Sequence, residues 1–390
     1  MSTRTRPQDP ARRPARGSAR ARVLGRALAA TAALSATALA APAALAAPAT
    51  GPWRVSEAGT LSTTAILSSV TSAGPHAAWA VGQQAGPGSA PGGVIMRWDG
   101  ARWAQDTAPG LPDVSYWTSV SAAAPDDVWA YGWSTTGGGE KLVHFDGVRW
   151  RERHMPDLPD GAAHGFAQVT AVPGRVWLVG DRWSTSYAHG AWQLGDLGDA
   201  ADIEDVDAAS PGAAWAAGYS WTDGRPSPLV ARWDGARWRE VPVPGHPGLM
   251  LSSVFTQSAH SVYAVGRTGA GTPEGGDDTT VLHWNGRSWR DVTGPVAGLF
   301  AERVAGDGRG GVYVTGDPAG WEGPPVFWHY DGARWTREQG ATVASGRTQS
   351  YAVNDLAPVG RTGRVWAVGS YELLVGEHTS ATYDLIETNG

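Results

Sequence analysis

The 390-residue sequence contains no cysteine. That excludes disulfides, thiolate nucleophiles, thiolate metal sites and a lipidated N-terminal cysteine. Lysine is almost missing as well: Lys141 is the only one, so arginine carries nearly all the positive charge. There is no G-x-S-x-G, no P-loop and no H-E-x-x-H, and no two histidines stand at metal-ligand spacing. No catalytic residue, metal site or cofactor is expected on these grounds. Leu-rich stretches are few, while glycine (53), proline (27) and tryptophan (21) are plentiful in a chain that is 42% hydrophobic and 17% charged. Such a composition points to a globular β protein.

The N-terminal stretch stands apart. Residues 1–26 carry eight arginines and one aspartate, then an Ala-rich apolar run (27–41) leads into "APAALAAPA". This pattern predicts a secretory signal peptide over 1–46, with cleavage after Ala46. An Ala-dominated run broken by Pro42 would span a bilayer poorly, so no membrane insertion is expected once it is removed. Residues 47–390 keep 23 of the 31 basic and 36 of the 37 acidic residues, a net charge of −13. A chain this acidic has no electrostatic case for binding nucleic acid or anionic membranes. A secreted monomer stabilised by its core alone is the expectation.

The remainder is a repeat. A short run ending in glycine recurs seven times: WAVG (79–82), WAYG (129–132), WLVG (177–180), WAAG (215–218), YAVG (263–266), YVTG (313–316) and WAVG (366–369). The spacings are 50, 48, 38, 48, 50 and 53 residues. A second motif follows most copies, as WDGARW (98–103), FDGVRW (145–150), WDGARW (233–238), WNGRSW (284–289) and YDGARW (330–335). Ser/Val segments such as LSSVTSA precede the first motif. A period near 50 built of four short strands, a to d, is the signature of a β-propeller blade. Asp-Gly turns strand c into strand d, because a tight hairpin needs positive φ at both central residues. The fold class predicted is therefore all-β: a seven-bladed propeller of four-stranded antiparallel blades over residues 47–390. The segment around Trp53 matches strand d, and Asn389-Gly390 stands in the Asp-Gly position. Trp53–Ser56 should thus complete the last blade. Blade three, about 164–200, lacks Asp-Gly-x-x-Trp and is expected to have a stunted or absent outer strand.

The repeats resemble several propeller families. Trp-Asp at the end of strand c is similar to WD40 blades, whose Gly-His partner is missing. Asp-Gly-x-x-Trp resembles the Asp-box of sialidase-type propellers, one residue shorter and without its serine. The period is similar to that of kelch blades, which use a Gly-Gly pair absent here. The repeats also look like those of secreted bacterial propellers with VWAVG…HWDG…W blades. The resemblance implies fold and carries over no catalytic residue: no arginine triad or Tyr/Glu pair maps from the sialidases.

Most tryptophans recur at fixed blade positions and read as core. So do His144, His283 and His329, which alternate with Arg97 and Arg232 before the strand c aromatic. The exceptions are out of register. Trp133, Trp183, Trp221 and Trp321 follow the strand b glycine by one to five residues, with Tyr219 and Tyr371 beside them and Trp117 in a d–a connection. In a meander the b–c and d–a connections emerge on one face. The starts of strand a open on that face too, bringing Asp205, Glu302, Arg303 and Asp355 to the channel mouth. Aromatics around a few polar groups suit a saccharide, which presents C–H faces and hydroxyls together. The reading is a non-catalytic binding protein for carbohydrate or another cell surface. The alternatives are a glycoside hydrolase or polysaccharide lyase, and a protein-interaction scaffold. The acid-dense run 196–207 reads as a solvated loop, with Ca²⁺ ligation the rival.

Overall fold

The computed structural model describes residues 53–390 except 63, 87, 136, 138, 160–164, 166–167, 199–200, 223, 270–277, 297, 319–322, 344–347 and 375–379. The predicted signal peptide and Trp321 lie outside the described residues.

Seven four-stranded antiparallel sheets account for the described strands. Blade one is β2 (Ile66–Ser72), β3 (Ala78–Gln84), β4 (Gly92–Trp98) and β5 (Trp103–Gln105). Blade two is β6 (Tyr116–Ala124), β7 (Asp127–Ser134), β8 (Gly139–Phe145) and β9 (Trp150–Glu152). Blade three is β10 (Gln168–Val172), β11 (Arg175–Gly180), β12 (Trp183–Ala188) and β13 (Ala191–Asp196). Blade four is β14 (Ala201–Ser210), β15 (Ala213–Thr222), β16 (Arg225–Trp233) and β17 (Trp238–Glu240). Blade five is β18 (Leu249–Ser258), β19 (Ser261–Thr268), β20 (Asp278–Trp284) and β21 (Trp289–Asp291). Blade six is β22 (Leu299–Gly306), β23 (Val312–Pro318), β24 (Val326–Tyr330) and β25 (Trp335–Gln339). Blade seven is β26 (Thr348–Pro358), β27 (Val365–Leu374), β28 (Ser380–Thr388) and, on its outer edge, β1 (Arg54–Ala58). The inner strands touch in the cycle β2, β6, β10, β14, β18, β22, β26 and back to β2, which closes the ring. The chain is a seven-bladed β-propeller.

In six of the seven blades the glycine of the first motif shares one physical setting. In six blades the inner strand bulges opposite it, with register shifts between Leu67 and Ser69, Trp117 and Ser119, Ile203 and Asp205, Leu251 and Ser253, Ala301 and Arg303, and Val353 and Asp355. The bulge pushes a carbonyl oxygen toward strand b. A Cβ at Gly82, Gly218, Gly266, Gly316 or Gly369 would fall on that oxygen, so only glycine fits.

The aromatics fill the seams. The strand b aromatic of each blade meets the c–d aromatics of the next: Trp79 with Phe145 at 6.3 Å, Trp215 with Trp284 at 5.6 Å, Trp366 with Trp98 at 5.0 Å. Trp79, Trp177 and Trp215 are fully buried. Arg97 lies over Trp79, and His144, His283 and His329 stack on Trp129, Tyr263 and Tyr313, so this His/Arg position caps the strand b ring.

Blade three corrects the sequence expectation. Its outer strand is present and six residues long, paired from Trp183↔Asp196 to Ala188↔Ala191. The turn is His189-Gly190, both at positive φ (52° and 81°), a two-residue hairpin that does the work of Asp-Gly. Tyr187 and Trp192 face each other across it at 5.0 Å and receive Trp129 of blade two at 6.0 Å. The shortness lies in the turns, not in the strand. The acidic run is likewise no loop in its second half, since Asp202, Glu204, Asp205 and Asp207 belong to β14.

Closure follows expectation. β1 pairs with β28 from Arg54↔Thr388 to Ala58↔Leu385. Trp53 stacks on Phe327 of blade six at 3.6 Å and donates its indole N–H to Glu338. Asn389, fully buried, accepts from the Val365 amide and donates to the Tyr313 hydroxyl.

Two outcomes follow from this packing. Gly266→Ala should destabilise by about 1–3 kcal/mol, the cost of overpacking, whereas Gly212→Ala, with open space around it, should stay within about 0.5 kcal/mol; urea melts compare them. Deleting residues 53–58 should bare the β28 edge and drive aggregation, read by light scattering. A monodisperse, cooperatively melting deletion variant would contradict the closure.

Candidate functional site

Each inner strand is a sheet edge, and its channel-facing amides need partners. In five blades the bulged residue of the preceding blade supplies one, while in blades four and seven Asp205 and Asp355 accept the amide of the next residue, Val206 and Leu356. Asp355 accepts from the Val70 amide (2.9 Å) and the Ser69 hydroxyl (2.8 Å). Ser69 in turn receives the Val120 amide, and Ser119 the Val169 amide while donating to Gln168. Asp205 accepts from the Val254 amide and the Ser253 hydroxyl, both at 2.9 Å, and Ser253 receives the Val304 amide. Two residues further along, Thr71, Ser121 and Asp207 accept the amides of Ala122, Ala171 and Thr256. These contacts staple blade to blade around the axis.

The staples line an axial cavity of about 300 Å³. Three carboxylates face it: Asp205, Asp207 and Asp355. Each is partly buried and keeps some surface on the cavity. Burial pushes Asp207 up to about 7, and repulsion from Asp205 and Asp355 adds to it. Burial raises Asp355 to about 6 against the pull of Arg303 and its hydrogen bonds. Asp205 is raised for the same reason. Glu302 and Arg303 border a second cavity of about 360 Å³ at the mouth, with Ser68, Thr118, Gln168 and Asn354. Arg303 donates to the Glu302 carbonyl and is the cation that acts on Asp205, Asp355 and Glu204.

The structure sorts the aromatics differently from their sequence register. Trp117 is not on the face: it is 1% exposed, in the seam between blades one and two. It occupies the position of Leu67, Ile203, Leu251, Ala301 and Val353, two residues before the bulged polar residue, and all of these are core. Tyr371 is also buried, packed between Tyr351 and Tyr383. Trp133 and Trp183 are half-buried; Trp183 packs on the core between blades two and three and carries Arg182 over its ring at 4.7 Å. Trp221 is 49% exposed. It stands edge-to-face with Tyr219 at 6.1 Å. Asp202 is the direct cross-strand neighbour of Tyr219, and burial together with the Asp202 and Glu204 carboxylates pushes the Tyr219 pKa up.

Sequence reasoning named Asp205, Glu302, Arg303 and Asp355 at the mouth and missed what joins them to the fold. It also passed over Asp202 and Glu204 as parts of the Tyr219 group. A signal existed: both fall on the inner strand of the blade whose b–c hairpin carries Tyr219 and Trp221.

No family model matches the chain, and no curated protein matches it. Among solved structures it is similar to YCF48 from Cyanidioschyzon merolae, at 15% identity over 86% of this chain and 98% of that one, with a TM-score of 0.54. It is also similar to the Kuenenia stuttgartiensis hydrazine synthase, at 8% identity over 79% of this chain and 95% of that one, TM-score 0.52. At these identities the likeness is one of fold.

The axial carboxylates set a pH dependence. Their folded pKa values lie above the unfolded ones, so the folded chain holds protons that the unfolded chain releases. Stability is therefore full near pH 4 and is lost as pH rises through about 6–7. The melting temperature should fall between these limits and level off above them. Asp207→Asn should flatten the curve; a profile that rises from pH 4 to 7 would contradict the assignment.

Proposed function

We propose that the mature chain is a secreted, non-catalytic binding protein that recognises carbohydrate with the face on which the inner strands begin. One observation carries the reading: Trp221, half exposed, stands edge-on to Tyr219, whose direct cross-strand neighbour is Asp202. An indole face offers a sugar ring its C–H contact, and Asp202 and Glu204 offer its hydroxyls acceptors. Half-buried Trp133 and Trp183 extend the same face. Secretion is supported by the arginine-rich start and the Ala-rich run that follows it.

A hydrolase is the second reading. Burial and the Asp202 charge raise Glu204, and burial and Asp202 raise Asp181, as a general acid requires. One experiment separates the two: residues 47–390 on a glycan array, with a reducing-sugar assay in parallel. Binding without release of reducing ends supports the binding protein; release makes it a glycosidase; neither leaves the protein-interaction scaffold. Trp221→Ala should weaken glycan binding by about 1–3 kcal/mol with the melting temperature unchanged. An early-melting variant would place Trp221 in the core.

A further inference from the structure

We infer that the ring has a second site, on the face opposite the exposed indole: a pocket at the turns of blades five to seven that takes a phosphate or sulfate monoester.

The pocket opens where the second row of staples stops. Thr71, Ser121 and Asp207 each pair with the strand b aromatic of their own blade and accept an amide of the next. Phe255, Ala305 and Ala357 hold the same position in blades five, six and seven, and none of these side chains can accept a hydrogen bond. The Phe255 ring lies against Gly306 instead, where it leaves no room for a Cβ. Phe255 and Thr256 line both the axial cavity and a further one of about 670 Å³. The a–b hairpins of blades six and seven border this second space, through residues 308–311 of one and Arg361 of the other. In a meander the a–b turns emerge on the face opposite the b–c hairpin that carries Trp221.

Gln257, Arg309 and Arg361 bring donors to it from three blades. Gln257 accepts the Ser261 hydroxyl through Oε1 at 2.8 Å, and its amide nitrogen is turned to Gly310, 3.5 Å from where a Cβ would stand. Arg309 donates to the Thr362 carbonyl and lies over Gly363, where a Cβ would meet its guanidinium. Gly308, at φ 72°, sits against the Gly360 carbonyl, so the two hairpins interlock and hold that guanidinium in place. Arg361 stands exposed beside Gly360. No carboxylate is among the described lining residues. Asp307 belongs to the same turn, but it is buried, and its oxygens accept the Arg309 and Gly311 amides and meet His329. On residues 47–390, with a net charge of −13, a cavity whose charged side chains are both arginine is a local exception that draws anions. Guanidinium forks match the oxygens of phosphate and sulfate. Donors arriving from three blades suit a tetrahedral oxyanion better than a planar carboxylate. The space exceeds a bare ion and Phe255 gives it an apolar wall, so the anion arrives on an organic group.

The test titrates residues 47–390 by calorimetry at low salt with phenyl phosphate, phenyl sulfate, benzoate and inorganic phosphate. An ester should bind more tightly than benzoate or the bare ion, and which ester is preferred tells a phosphate source from a sulfate one. Binding should weaken at high salt. Arg361→Ala should weaken it by about tenfold, the loss of one charge-assisted hydrogen bond. Gln257→Glu keeps the acceptor for Ser261 but sets a negative charge at the wall, and should remove binding. Both variants should melt like the parent. Arg225→Ala takes a charge from the opposite face and should change nothing. Benzoate or inorganic phosphate binding as tightly as the esters would overturn the monoester assignment. No binding of either ester, or equal losses in Arg225→Ala and Arg361→Ala, would overturn the site itself.

Discussion

Seven sheet edges face one narrow axis, and each presents backbone amides that no further strand can pair. Everything distinctive about the chain answers that constraint. A bulge in the inner strand turns one polar side chain toward the neighbouring edge, where it accepts the amide that would otherwise be orphaned. The same bulge drives a carbonyl into strand b and forces glycine there. The recurring glycine and the Ser/Asp position before the recurring Val or Leu are thus two sides of one device, roughly fifty residues apart from blade to blade.

That device also decides where function can sit. Asp205 and Asp355 face the axial cavity rather than the mouth expected from their sequence positions, and their oxygens already hold blades five and one. Their protonation is coupled to the stability of the ring. Ligand recognition falls instead to residues that the staples and seams leave over. The blade four hairpin is such a place, since it rises past the bulge and carries an exposed indole. In the blade three–four sector the repeat is also least regular: blade three has no bulge among its paired residues, and Asp181, at positive φ, bridges to Ile203 of blade four instead.

Much of this was legible in the residues. Blade number, strand order, the c–d turns and the pairing of the Trp53 segment with the last blade all followed from spacing, because each blade must fill the same wedge against its neighbour. Three readings failed, each where a local pattern was met by different residues. Trp117 lies out of register with the glycine of strand b, yet in register with Leu67 and Leu251 of strand a. Tyr371 looked like a loop aromatic, but β27 continues to Leu374 and folds it into a tyrosine stack. Blade three lacked Asp-Gly, yet His189-Gly190 supplies the same two positive φ angles.

The sequence by itself determined the architecture, because hydrophobic period, turn chemistry and repeat length are local properties that a ring of blades must share. It also determined which residues break that pattern. Only the tertiary structure decided what the broken positions do, since exposure depends on which neighbour reaches over them: Trp117 disappears beneath Val114 and Val120, Trp183 leans on the seam, and Trp221 stays in solvent. The raised carboxylates belong to the same class. Asp355 is separated from Asp205 and Asp207 by a long stretch of chain, and its repulsion of Asp207 exists only because the ring brings them to one axis.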